Sequence, residues 1–146
     1  MAPLRDSWLK LIGTKDNTKL DKLNASNAAW DICNGWIDKN AEHFELSEDD
    51  KELALAIENV KTLNLRLNKK ISVGYTEDLL TDLVLSMDAY LIYVFLVAVD
   101  KGFIPSSAEM ANPALAHLAK IEGRELIAEY HEATNLVSHL LEKYPY

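Results

Sequence analysis

The sequence predicts an all-α protein, and three observations carry that prediction. Apolar residues recur at helical spacing along most of the 146-residue chain, and no stretch alternates as a strand would. Capping residues stand before several of the periodic stretches. One stretch, residues 89–99, is apolar throughout, and such a helix belongs inside a larger assembly. We therefore expect a single-domain bundle, residues 1–146, with four long helices plus short ones around a central hydrophobic helix at residues 76–101.

Three helices are predicted before the central one. A short helix at residues 3–12 starts with a proline and is followed by a glycine, the usual asymmetry of helix ends. A longer helix at residues 17–40 carries apolar side chains three, four and seven positions apart. The third follows Ser47, which can cap it. Two aspartates in its first turn place negative charge at the N-terminal end, where it interacts favourably with the helix dipole. Its apolar stripe is Leu53, Ile57, Val60, Leu67 and Ile71.

The central helix has boundary signals at both ends. Thr76 can cap its start, while Gly102 and Pro105 follow its end. The spacing of Ser106 and Glu109 then fits the capping box of a short helix. These signals place the central helix in one piece between two turns of the chain.

A last long helix is predicted after Asn112, with Pro113 in its first position. It should run unbroken to about Lys143, because Gly123 alone need not end a helix. The connections between the long helices are short, so neighbouring helices should pack antiparallel.

The charge of the chain restricts its partners. The formal net charge is −8, and no basic run exceeds the pair Lys69 and Lys70. Binding to nucleic acid or to an anionic membrane surface needs clustered basic residues, so neither is expected. Asp82 and Asp88 also interrupt the apolar stretch that a membrane span would need. A basic protein partner is compatible with the charge, although solubility alone would explain it.

Cysteine content and the first residues indicate a cytoplasmic protein. Cys33 is the only cysteine, so no intrachain disulfide can form. The chain does not start with the charged and then apolar pattern of a secretory signal peptide.

The histidines do not predict a metal or cofactor site. His117, His131 and His139 all fall on the last predicted helix. At the helical rise, the first two are about 21 Å apart and the last two about 12 Å apart. His43 is expected in a loop and could join one of the three, but two histidines are too few ligands for a metal site.

Acidic residues on the last helix allow two interpretations. A glutamate-rich face is usually a solvated helix surface. Alternatively, Glu122 and Glu125 could share Mg²⁺ with a second acidic pair on a facing helix, which Asp78 and Asp82 could supply. The glutamates of this face are Glu122, Glu125, Glu129 and Glu132.

Asp82 and Asp88 lie within the most apolar helix. A buried carboxylate costs several kcal/mol unless it is paired or protonated. Six positions apart, the two aspartates point about 120° away from each other. The simpler interpretation is that one of them faces solvent while the other meets a basic side chain, such as Arg66, Lys61 or Arg124.

The leading functional hypothesis is a non-enzymatic, cytoplasmic protein that binds or regulates another protein through acidic faces, as an inhibitor, an immunity-type protein or an adaptor. A small enzyme or ligand-binding domain is the alternative, with a carboxylate site between helices, Mg²⁺-dependent or not, built on Asp82 or Asp88 with Glu125 or His131. A homodimer is compatible with both. The candidate partner-binding residues are Glu45, Glu48, Glu52, Glu125, Glu129, Tyr144 and Tyr146, the last two because an aromatic tail at the end of the chain is expected to be exposed.

Overall fold

The computed structural model describes residues 16–42, 44–74, 76–121 and 123–146, and over these residues the regular structure is entirely helical. The α-helices are α1 (Asp16–Lys39), α2 (Lys51–Val73), α3 (Glu77–Asp100), α4 (Pro113–Ala119) and α5 (Gly123–Lys143). Single 3₁₀ turns, Glu48–Asp50 and Glu109–Ala111, precede α2 and α4. The predicted all-α class is confirmed, whereas the helix predicted at residues 3–12 lies outside the described residues.

Helix α3 is the centre of the bundle. It packs against each of the other four α-helices, and nearly all of its residues from Leu79 to Ala98 are buried. By length and composition it could cross a membrane, but 89% of its most apolar 18-residue window is buried inside the protein. The other helices therefore cover the apolar surface of α3, as the rest of a protein covers a helix that is apolar on all sides.

Two predicted helix caps are present. The hydroxyl of Thr76 accepts a hydrogen bond from the Leu79 amide at 3.2 Å, which starts α3. The side-chain oxygen of Asn112 accepts from the amides of Ala114 and Leu115 at 2.9 and 3.3 Å, which starts α4. Both caps satisfy amide groups that have no partner within the helix.

The predicted capping box of Ser106 and Glu109 is also confirmed, although it starts only a 3₁₀ turn. The Ser106 amide donates to the Glu109 carboxylate at 2.9 Å, and the Glu109 amide donates to the Ser106 hydroxyl at 3.2 Å. The second carboxylate oxygen of Glu109 accepts from the Trp36 indole at 2.6 Å. This contact ties the connection between α3 and α4 to α1.

The prediction of one unbroken last helix is wrong. The amides of Lys120 and Ile121 donate to the carbonyls of His117 and Leu118, three residues back, so α4 ends in a tightened turn. Because of the break, α4 packs against α1 and α3, while α5 packs against α2 and α3. The apolar surface that α4 and α5 bury against different helices therefore stabilises the fold more than the backbone hydrogen bonds of one continuous helix would.

Helices α2 and α5 run antiparallel to α3 and therefore parallel to each other. Asp82 near the start of α3 contacts Tyr144 just beyond α5, whereas Tyr93 further along α3 contacts Thr134 further back on α5. The short connection between α2 and α3 reverses the chain in the same way. The antiparallel prediction therefore holds for the packing of α3 against α2 and against α5.

Helix α1 runs parallel to α3 and is held to it by aromatic rings. Trp30 stacks on Tyr90 with ring centroids 3.9 Å apart, and Trp36 meets Phe95 edge-on at 5.7 Å. The numbering rises along both helices from the first pair to the second. Large rings thus fix both the direction and the register of α1.

Candidate functional site

A groove lies between α2 and α5, with the C-terminal end of α3 as its floor. It consists of two adjoining pockets of about 300 Å³ each. Both pockets share Glu52, Tyr130 and His131, which makes them parts of one depression. We call this depression the α2–α5 groove. Its other lining residues are Leu46, Asp50, Leu53, Leu96, Val97, Asp100, Lys101 and Ile127 in the first pocket, and Leu55, Ala56, Asn59 and Thr134 in the second.

The groove exposes apolar surface. Leu55 on α2 has 62% of its surface exposed, and Ile127 on α5 has 52% exposed. Leu53 and Leu96 lie deeper and are partly buried. Single exposed apolar residues are ordinary on a protein surface, but two beside partly buried leucines at one concave site mark a place where another molecule can bury them.

Acidic side chains surround the first pocket of the groove. Asp50, Glu52 and Asp100 contribute three carboxylates, while Lys101 is the only lysine or arginine among the described lining residues. Asp50 accepts hydrogen bonds from the Ser47 amide at 3.2 Å and hydroxyl at 3.1 Å, which fix its position. The first pocket is therefore an apolar cavity with a negative rim.

Tyr130 lines both pockets and is anchored to the core. Its ring meets that of Tyr93 edge-on at 5.6 Å, and the Tyr93 hydroxyl lies 3.2 Å from that of Thr134. Burial, and then the negative charge of Glu52, raise the pKa of the Tyr130 phenol above its ordinary value. Tyr130 is therefore a neutral side chain at physiological pH that can both donate and accept a hydrogen bond within the groove.

Of the predicted partner-binding glutamates, only Glu52 lines the described groove. Glu45 and Glu48 are exposed just before α2, and Glu48 forms an ion pair with Lys51 at 2.8 Å. Glu125 is exposed in the first turn of α5. These three residues extend the negative surface beyond the groove without forming part of it.

The prediction that Glu129 lies on an exposed acidic face is wrong. Only 5% of its surface is exposed, because it falls on the buried stripe of α5. Its Oε2 atom has no hydrogen-bond partner among the described residues. Burial, reinforced by the charge of Glu125, raises the pKa of this carboxyl group.

Replacing Glu129 by glutamine should therefore stabilise the protein at pH 7. Because the folded-state pKa is raised, the native protein binds the proton more tightly than the unfolded chain does, and stability falls as the pH rises from about 4.3 through the raised value. We expect Glu129→Gln to increase the free energy of unfolding by about 1–2 kcal/mol at pH 7 and to change it little at pH 4. Thermal and urea unfolding at the two pH values measure this difference.

Glu142→Gln is the matched control for this prediction, since Glu142 is exposed on the same helix. Its stability should change by less than about 0.5 kcal/mol at either pH. An equal gain in both variants, or a loss of stability in Glu129→Gln at pH 7, would contradict the effect assigned to Glu129.

The C-terminal residues are not an exposed aromatic tail, so the expectation for Tyr144 is wrong. Tyr144 is buried, and its hydroxyl donates to Asp82 at 2.5 Å. Lys143 donates to the same Asp82 oxygen at 2.8 Å, and Arg66 donates to the Tyr144 carbonyl at 3.1 Å. Tyr146 is exposed as expected, beside a shallow pocket that Lys69, Lys70, Val73 and Gly74 also line.

The residues of the alternative pocket do not come together. Asp82 is buried against Lys143 and Tyr144, and Asp88 is fully buried, so the expectation of a solvent-facing aspartate is wrong, whereas Asp82 does meet a basic side chain. His131 lies in the α2–α5 groove, about 20 Å along α5 from Tyr144. The described residues contain no group of three or more side chains that could hold a metal ion.

Of the described groove residues, only Glu52 and His131 are candidates from the sequence, and three of the others are instructive. Asp100 is the last residue of α3, and a negative charge at the C-terminal end of a helix interacts unfavourably with the helix dipole. An acidic residue at this position is therefore a signal of a role other than stabilising the helix. Asp50 is recognisable from the sequence only as a first-turn residue of the third helix. Leu55 carries no signal, because an apolar residue outside the stripe of an amphipathic helix is common.

We find no family model, no curated protein and no solved structure that matches this chain.

Proposed function

We propose that this protein binds a basic segment of another protein in the α2–α5 groove and has a regulatory rather than a catalytic role. One observation carries the proposal: exposed apolar side chains and a rim of three carboxylates border the same concave site. Apolar contact supplies affinity, and the carboxylates select for lysine and arginine.

The overall charge of the chain supports a basic partner. A net charge of −8 gives the molecule a negative field that accelerates encounter with a positively charged protein and repels acidic ones. Glu45, Glu48 and Glu125 lie outside the groove and contribute to that field. Their expected effect is on the association rate at low salt, whereas Glu52 is expected to affect the dissociation rate as well.

Site-specific photo-crosslinking in a lysate of the source cells tests the proposal. A photoreactive amino acid at Leu55 or Ile127 should form a covalent adduct with the same protein, and high salt should reduce the yield. The matched control is Leu65, which is 67% exposed on α2 but does not line the described groove. Equal adducts from all three positions, or none from Leu55 and Ile127, would refute a binding role for the groove.

A further inference from the structure

We infer that the segment bound in the α2–α5 groove is a short amphipathic helix with two apolar residues three or four positions apart and basic residues beside one of them. This inference rests on the proposed function and specifies the chemistry of the partner. It follows from the length of the groove, the backbone chemistry of its walls and the uneven distribution of its charges.

The groove accommodates about two helical turns. From Glu52 to Asn59 along α2, and from Ile127 to Thr134 along α5, the lining residues span about 10 Å on each wall. Along α5 the first pocket is lined by Ile127, Tyr130 and His131 and the second by Tyr130, His131 and Thr134, so the two pockets are displaced from each other by roughly one turn, or about 5 Å. Two side chains on one face of a helix, at positions i and i+3 or i+4, have that separation.

The walls of the groove favour a helix over an extended strand. An extended segment needs partners for its backbone amides and carbonyls, usually at the edge of a sheet. Apart from Leu46, Asp50 and Lys101, which lie just before or after an α-helix, the described lining residues belong to α-helices, where most backbone groups are already hydrogen-bonded within the helix. A bound helix satisfies its backbone internally and presents only side chains to the groove.

The charges of the groove lie mainly at one end. Asp50, Asp100 and the single lysine Lys101 line only the first of the two described pockets, and Glu52 lines both. The second pocket contributes the neutral polar residues Asn59 and Thr134. A complementary helix therefore carries lysine or arginine within one turn of the residue in the first pocket, and no such requirement applies at the second.

Selection from a random peptide library tests this inference and does not require an identified partner. The probe is a phage-displayed library of roughly 16-residue peptides, which as helices would be about 24 Å long. Selection uses the full chain, with counter-selection on the variant Glu52→Lys/Asp100→Lys. Enriched peptides should have two apolar residues three or four positions apart, with lysine or arginine near one of them.

Synthetic versions of the enriched peptides then give affinities by fluorescence anisotropy. Glu52→Lys should weaken binding about tenfold or more, and a proline between the two apolar residues should do the same. Glu58→Lys is the matched control, because Glu58 is exposed on α2 but does not line the described groove, and it should leave the affinity within about twofold.

Each other outcome overturns the inference in a distinguishable way. Basic peptides that depend on Glu52 but lack the helical spacing and tolerate proline would refute the bound helix and leave the proposed function intact. Enrichment that is insensitive to Glu52, or no enrichment, would refute both. A dimer in sedimentation equilibrium that Ile127→Lys dissociates would show that a second copy of the chain fills the groove.

Discussion

Replacing Tyr90 by alanine should lower the free energy of unfolding by about 3–5 kcal/mol, a large part of the total stability of a domain of this size. Tyr90 lies in the middle of α3 and is fully buried. Its ring stacks on Trp30, and its hydroxyl donates to the Asn34 side chain at 2.5 Å. Burial raises the pKa of Tyr90, so the phenol remains a donor at neutral pH. Urea unfolding followed by circular dichroism measures the loss.

Tyr90→Phe separates the two contributions in this prediction. It removes the hydroxyl and keeps the ring that stacks on Trp30, so we expect a loss of only about 1 kcal/mol. If Tyr90→Ala and Tyr90→Phe lose the same amount, the hydrogen bond to Asn34 rather than the packed ring holds α1 to α3. A loss below about 1 kcal/mol for Tyr90→Ala would contradict the central position of α3.

Replacing Asp82 by alanine should destabilise the protein by about 2–3 kcal/mol, since a buried tyrosine hydroxyl loses a charged acceptor and Lys143 loses its buried partner. Asp78→Ala is the matched control, because Asp78 contacts the same Lys143 amine at 2.9 Å. The side chain of Asp78 is 74% exposed, whereas that of Asp82 is 10% exposed. We expect Asp78→Ala to cost less than about 1 kcal/mol.

The coupling between Asp82 and Tyr144 can be measured by a double-mutant cycle with Asp82→Ala and Tyr144→Phe. We expect an interaction free energy of about 1–3 kcal/mol, since the two groups share a short, buried hydrogen bond. Additive effects of the two substitutions would contradict this contact. Equal losses for Asp82→Ala and Asp78→Ala would show that burial does not distinguish the two carboxylates.

Much of the fold is predictable because it depends on local chemistry. The caps at Thr76 and Asn112 and the reciprocal bonds of Ser106 and Glu109 involve side chains within three residues of the amides they satisfy. Spacing along the chain fixes such contacts, whatever surrounds them. The break before Gly123 is not predictable, because it depends on which helices α4 and α5 bury their apolar faces against.

The candidate site is predictable only in part. Glu52 is identified by the acidic density of its segment, but Glu129 and Tyr144, which the sequence places at the surface, are buried. Composition cannot distinguish these cases, since a glutamate on a helix with several others is usually solvated. Whether it is solvated here depends on the rotation of α5 about its axis, which the packing against α3 sets.

The sequence by itself determined that the chain is helical and that residues near 77–100 form its apolar centre, because periodicity and capping act over a few residues. The tertiary structure alone decided that Asp82 meets Lys143 and Tyr144, and that α2, α3 and α5 enclose a groove with Asp50, Glu52 and Asp100 on its rim. Those contacts join residues from about 30 to 80 positions apart, and only the direction and rotation of packed helices bring them together.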